Sequence, residues 1–131
     1  MARIKGLAHV GLFIMDVEKS KKFYEDILDF ETIWDCTLDD GTKVAFVKNG
    51  DLTLELVQFV DPKPSKGDGW VDHLAIAVED IEGMKKKLED RGIKFESEEI
   101  VFDKNMFAKG TKYLMFRGPD GEHLEIGEVI Q

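Results

Sequence analysis

Residues 9–26, HVGLFIMDVEKSKKFYED, align without a gap with residues 73–90, HLAIAVEDIEGMKKKLED. Asp16 falls on Asp80, Val17 on Ile81, Glu18 on Glu82, and Glu25-Asp26 on Glu89-Asp90. Further on, TKVAFVKNGDLTLELV from Thr42 parallels TKYLMFRGPDGEHLEIG from Thr111, and a one-residue adjustment brings Glu55 onto Glu125. A chain that repeats itself in this way is built from two copies of one supersecondary unit, so whatever the first half folds into, the second half must also adopt. Each half carries one His near its start and one Glu near its end.

Periodicity gives the unit. Over residues 7–14, Leu7, His9, Gly11 and Phe13 alternate with Ala8, Val10, Leu12 and Ile14, the two-residue period of a strand. Asp16 has the side chain of a helix N-cap. Val17, Ser20, Phe23, Tyr24, Ile27 and Leu28 then recur at helical spacing, with Lys and Glu between them. Strands are predicted at 30–37, 42–48 and 51–59, separated by Asp39-Asp40-Gly41 and by Asn49-Gly50-Asp51, a sequence suited to a tight hairpin. The second half predicts a strand over 71–78, a helix over 81–91 capped by Asp80 and stopped at Gly92, and strands over 93–101, 111–117 and 122–129. The fold class is α+β: two tandem βαβββ modules, about 4–60 and 70–130, in one domain. The Pro- and Gly-rich stretch 61–69 reads as their connection. Residues 103–110 mix Lys104 and Lys109 with Met106 and Phe107, a composition that predicts a lid or a dimer contact.

Composition narrows the partners. The 131 residues carry a net charge of -9, which argues against nucleic acid or an anionic membrane as the main partner, because both are bound through clustered Lys and Arg. No apolar run approaches the ~20 residues that span a bilayer. With one cysteine, Cys36, the chain has no intrachain disulfide and no multi-cysteine zinc site. The expectation is a cytoplasmic protein acting on a small molecule. Cys36 itself reads as a buried structural thiol, and the Lys19-Lys21-Lys22 and Lys85-Lys86-Lys87 groups as solvated helix faces.

Strand alternation tests whether the repeated His and Glu can do chemistry. His9 shares its face with Gly11, and His73 with Ala75 and Ala77, so small residues leave room beside each imidazole. Glu55 and Glu125 lie opposite Leu54 and Leu56, and Leu124 and Ile126. A single His on an apolar strand reads as a hydrogen-bonded structural residue, and a single Glu as a solvated one. Matching pairs in a duplicated unit read differently: pseudo-twofold symmetry would bring His9, Glu55, His73 and Glu125 to one axis as an N2O2 set for a divalent metal, with room left for water. Ni, Zn, Co, Mn and Fe all accept such ligation. His123 shares the face of Glu125 but has no His counterpart in the first half, so it is placed behind the ligands or at the surface.

With those residues in hand, the chain resembles the vicinal oxygen chelate superfamily, which includes glyoxalase I, over essentially its whole length. KKFYEDILDF, DHLAIAVEDIEGMKKKLEDRGIKF and AKGTKYLMFRGPDGEHLEIGE carry the resemblance. A His/Glu/His/Glu set is similar to glyoxalase I, whereas extradiol dioxygenases and fosfomycin-modifying enzymes show His/His/Glu, and methylmalonyl-CoA epimerases show Gln at the place of Glu55. The resemblance implies capture of two adjacent substrate oxygens by the metal, acidification of a neighbouring C–H, and proton transfer by Glu55 or Glu125 through an enediolate. It also implies that the two modules form a cupped mixed sheet around a metal site, and a homodimer, with metal sites that in some relatives take one His/Glu pair from each chain.

The departures fall at the substrate side. Short glyoxalase I relatives place an Arg and an Asn, four residues after the first and second ligands, against glutathione; here those positions are Phe13 and Phe59. Asp29 replaces a Gly in a turn. Lys109 matches the Lys of a loop that can meet a substrate carboxylate, and Trp70, with Trp34, offers a ring to stack on a ligand. The leading expectation is a divalent-metal-dependent lyase or isomerase of the glyoxalase I type. The alternatives are an epimerase with the same chemistry, or a metal-free small-molecule (antibiotic) binding protein using Trp34, Trp70, Phe13 and Phe59.

Overall fold

Each module turns its alternating strands into a sheet with one greasy face, and its helix covers that face. The computed structural model describes all 131 residues. In the first module, β1 (Val10–Phe13), α1 (Val17–Asp26), β2 (Glu31–Thr37), β3 (Lys43–Asn49) and β4 (Leu52–Gln58) form a four-stranded mixed sheet ordered β1-β4-β3-β2. In the second, β5 (Leu74–Ala77), α2 (Ile81–Asp90), β6 (Val101–Asp103), β7 (Thr111–Arg117) and β8 (His123–Val129) give the order β5-β8-β7-β6. These are two tandem βαβββ modules of an α+β, glyoxalase-like fold. The chain divides into compact units Met1–Pro64 and Ser65–Gln131, with the boundary inside the Pro-rich connection.

The two modules agree down to register. The first strand pairs in parallel with the last, Gly11 opposite Glu55 and Ala75 opposite Glu125. Equivalent backbone bonds continue each pairing past the strand, from Ile14 N–H to the Val57 carbonyl and from Val78 N–H to the Gly127 carbonyl, both 2.9 Å. Even the helix N-termini are finished alike. The Gln58 side chain accepts from Val17 N–H at 2.8 Å, and Glu128, at the matching place on β8, accepts from Ile81 N–H at 3.0 Å. Such acceptors satisfy amides that a helix start leaves without intrahelical partners, in addition to the caps by Asp16 and Asp80.

The cores lie between sheet and helix. Leu54, Leu56, Val47 and Tyr24 are fully buried in the first unit, and Leu88, Leu114, Phe116, Leu124 and Ile126 nearly so in the second. No helix is long and apolar enough to cross a membrane.

Several expectations are modified. The strands expected over 7–14 and 71–78 are shorter, so His9 and His73 stand one residue before β1 and β5. The strand expected over 93–101 shrinks to Val101–Asp103. Phe95 is buried and meets Phe116 edge-on at 5.6 Å, and Glu96 N–H reaches the Met115 carbonyl. Beyond it, Ser97, Glu98 and Glu99 have no apolar face to bury, and the Ser97 hydroxyl donates to the Glu99 carbonyl in a bend. Lys21 is not a solvated lysine: it is largely covered and pairs with Asp35 on β2, whose hydrogen bond raises its pKa. Lys85 and Lys86 form i,i+4 pairs on the helix surface, with Glu89 and Asp90. Cys36 is half-buried rather than buried. Asp29 adopts φ 61°, the left-handed region that glycine occupies without penalty, so the turn it forms is one in which a Gly would be unstrained.

Because Leu124 is buried under α2 on the strand that carries Glu125, truncation opens a cavity directly behind the site. Leu124→Ala is expected to cost about 2–5 kcal/mol in denaturant unfolding.

Candidate metal centre

In each module the parallel strand pair brings one imidazole in front of one carboxylate. His9 Nε2 lies 3.6 Å from Glu55 Oε1, and His73 Nε2 lies 3.8 Å from Glu125 Oε1. Both separations are too long for a hydrogen bond. They are within the span of one cation, since two donors each ~2.0–2.2 Å from an ion can lie up to about 4.4 Å apart. Imidazole nitrogen plus carboxylate oxygen is a donor set that borderline divalent metals accept. The sheet leaves space there: a Cβ on Gly11 would sit 3.5 Å from Glu55 Oε1, and one on Gly127 would sit 3.1 Å from Glu125 Oε2. The residues of each pair therefore fit as ligands of a divalent ion.

The surroundings of the two pairs differ. In the first module the edge of Phe46 meets the His9 ring, centroids 5.3 Å apart. Phe13 and Phe59 touch each other at 4.9 Å between centroids and are both exposed, forming an aromatic step on the module that carries His9 and Glu55. In the second module a cavity of about 670 Å³ opens over His73 and Glu125, walled by Ala75, Ala77, Met106, Phe107, Tyr113 and Met115. The irregular stretch 103–110 thus contributes a cavity wall. It holds Phe107 at φ 64°, a left-handed conformation costing roughly 1–2 kcal/mol for a non-glycine residue. Lys109 is exposed in the same stretch, and Trp70 is fully exposed in the connection before β5.

The second pair also has an outer shell that periodicity did not reveal. His73 Nδ1 is 2.9 Å from Asp72 Oδ2. The same oxygen lies 3.4 Å from His123 Nδ1, and His123 Nε2 lies 3.1 Å from Glu96 Oε1. His123 is largely buried, and neither of its nitrogens reaches hydrogen-bond geometry. Asp68, Asp72 and His123 bring one ligand atom each within 4.8 Å of one another. Asp68, however, is already neutralised by Arg117, which donates to it through Nη1 and Nη2, the latter at 2.9 Å. The one sequence sign of this shell is the carboxylate immediately before His73; the first module has Ala8 there.

The Arg117 guanidinium beside Asp68 holds that carboxyl below its ordinary value of 3.8. A depressed folded-state pKa adds stability that is complete above the unfolded value and lost as pH falls toward the folded one. Melting temperature is therefore expected to drop on acidification below about pH 4, and to drop less in Arg117→Met, when the two are followed by circular dichroism.

Comparison with known proteins agrees with this architecture. The family model described as glyoxalase/bleomycin resistance protein/dioxygenase superfamily matches residues 6–126. The chain is 32% identical over 126 residues to the uncharacterized protein YwbC of Bacillus subtilis, covering 92% of this chain and 95% of that one. It is 30% identical over 127 residues to a probable lactoylglutathione lyase of Synechocystis, covering 92% of each. A crystal structure of a glyoxalase family protein from Enterococcus faecalis superposes with a TM-score of 0.78 at 29% identity, covering 95% of this chain and 98% of that one. With the family model matching nearly its whole length, this chain belongs to the glyoxalase/bleomycin resistance protein/dioxygenase superfamily.

Proposed function

We propose that His9, Glu55, His73 and Glu125 together hold one divalent metal ion, and that the protein is a metal-dependent lyase or isomerase of the glyoxalase I type. The substrate is a small α-oxygenated carbonyl compound or its thiol adduct, and the working form is a homodimer. The observation that carries this reading is the repeated pair: the same strand register sets an imidazole nitrogen and a carboxylate oxygen 3.6 Å apart in one module and 3.8 Å apart in the other. Similarity to a protein described as a probable lactoylglutathione lyase supports the same class of reaction.

When bound, the ion supplies Lewis-acid polarisation of a substrate oxygen. The chain's own groups do the rest. His9 and His73 present ring nitrogens. Glu55 and Glu125 are the groups able to take a proton from the hydroxyl-bearing carbon beside the carbonyl and return it to the carbonyl carbon; an isomerisation is complete when the hydroxyl proton also passes from the first oxygen to the former carbonyl oxygen. The walls of Ala75, Ala77, Met115 and Tyr113 favour a small, largely apolar substrate and limit water around the carboxylate. Phe13 and Phe59 present aromatic faces where a glutathione-binding relative presents polar side chains, so the thiol carrier, if any, is less polar than glutathione. Lys109 and Trp70 are the groups available to meet a substrate carboxylate and to stack on its apolar part.

Metal content of the purified protein tests the centre. One divalent ion per chain is expected for the wild type, with His73→Ala and Glu125→Ala weakening affinity by at least about 100-fold, beyond what loss of an outer partner does. With the metal form, methylglyoxal and a panel of small thiols, Gln in place of whichever Glu is the base should lower kcat by about 10²–10⁴. A wild type that takes up no divalent metal overturns the reading; uptake without turnover of these compounds overturns the substrate and leaves the centre.

A further inference from the structure

The two histidines occupy equivalent places in the duplicated fold, yet they are held differently. His9 follows Ala8 and has only the edge of Phe46 and the distant Glu55 carboxylate near its ring. His73 follows Asp72, and the carboxylate oxygen Oδ2 faces its Nδ1 at 2.9 Å while Nε2 looks toward Glu125. A carboxylate can only accept, so a neutral His73 must carry its proton on Nδ1 to make that bond. That tautomer leaves the Nε2 lone pair bare on the side of Glu125. A free imidazole side chain prefers the opposite form, with the proton on Nε2, which would block that lone pair.

Asp72 is itself framed. Its Oδ2 also lies 3.4 Å from Nδ1 of His123, whose ring is wedged on β8 two residues before Glu125, with the His73 and His123 centroids 6.1 Å apart. Glu96 stands 3.1 Å from the other His123 nitrogen and 3.3 Å from Arg117 Nε, and Arg117 clamps Asp68, four residues before Asp72. Nothing comparable exists in the first module, where the strand positions equivalent to His123 and Arg117 are Thr53 and Lys48. Only one copy of the repeat has acquired this frame.

We propose that Asp72 is a positioning residue for His73: it fixes the Nδ1–H tautomer and the ring orientation, so that His73 is the prearranged imidazole of the site and His9 the adaptable one. The effect on metal binding rests on the metal reading above; the effect on the tautomer does not. A carboxylate behind a ligating imidazole raises its basicity and removes the entropy of ring rotation, and losing such a partner weakens metal affinity by about 10–100-fold.

The test separates the two. In metal-free protein labelled with ¹⁵N-histidine, at about pH 8.5 where an ordinary imidazole is neutral, long-range ¹H–¹⁵N correlations report each ring's tautomer. His73 is expected as Nδ1–H in the wild type and in Asp72→Asn, which keeps an acceptor oxygen of the same shape. It is expected to switch to Nε2–H in Asp72→Ala, while His9 is unchanged in all three. In parallel, Co²⁺ titration should give a Kd that rises about 10–100-fold in Asp72→Ala and far less in Asp72→Asn. Asp72 is half-exposed in a connecting segment, so both variants should fold, and the unchanged His9 signal verifies that they do. An Nε2–H His73 in the wild type, a tautomer indifferent to Asp72→Ala, or a switched tautomer with unaltered Co²⁺ affinity would each overturn the proposal. If the wild type binds no Co²⁺, the metal reading fails, and the tautomer comparison alone decides whether Asp72 holds His73.

Discussion

The parallel pairing of the first strand of each module with its last is the contact on which the rest depends. It puts residues from opposite ends of a module side by side, with Gly11 against Glu55 and Ala75 against Glu125. A parallel pair requires a long crossover, here a helix and two further strands, and that crossover supplies the cover for the apolar face. Since side chains alternate, burying Leu54 and Leu56, or Leu124 and Ile126, against the helix obliges Glu55 or Glu125 to point the other way. A shift of one residue would bury the carboxylates and expose the leucines, so core burial and site geometry are set by the same register.

Small residues shape the site as much as the His and Glu residues do. Gly11, Ala75, Ala77 and Gly127 keep the strand faces beside the His/Glu pairs low. In the second module the result is a cavity with a polar floor and apolar walls. A carboxylate in such a place is stabilised by a partner or by the water that still reaches it, and its placement there marks a candidate functional site. The 3.6 and 3.8 Å separations, too wide for hydrogen bonds, leave each pair incompletely satisfied by protein alone.

Duplication made the two halves alike and later change made them different. The shared features are structural: strand register, caps from Gln58 and Glu128, and the helix-covered face. The divergent features are chemical. One module carries an exposed Phe13–Phe59 step, and the other a charged frame of Asp68, Asp72, Glu96, Arg117 and His123. The same His/Glu arrangement thus carries two different flanks, one apolar and one charged.

The repeat, the alternation of the strands and the identity of the His/Glu pairs were legible in the chain because they are local: period two, period 3.6 and an ordered self-alignment need no knowledge of what lies across the fold. Asp29 as a glycine substitute in a turn was readable for the same reason. The loss of strand over 93–100 was not, since whether a weakly alternating, acid-rich segment joins a sheet depends on the apolar surface offered to it, and Phe95 is its one buried residue. Nor was Lys21 legible as a covered ion pair, because Asp35 reaches it from another element. The frame around His73 lay furthest from view. Asp68, Asp72, Glu96, Arg117 and His123 span fifty-odd residues with no motif spacing, and charged groups so scattered read as solvated surface until strand pairing sets them within a few ångströms of one another. Sequence by itself determined the repeated His/Glu pairs and the strand faces they occupy; tertiary structure alone decided what stands behind them, because side-chain partners across a sheet are chosen by register and not by proximity along the chain.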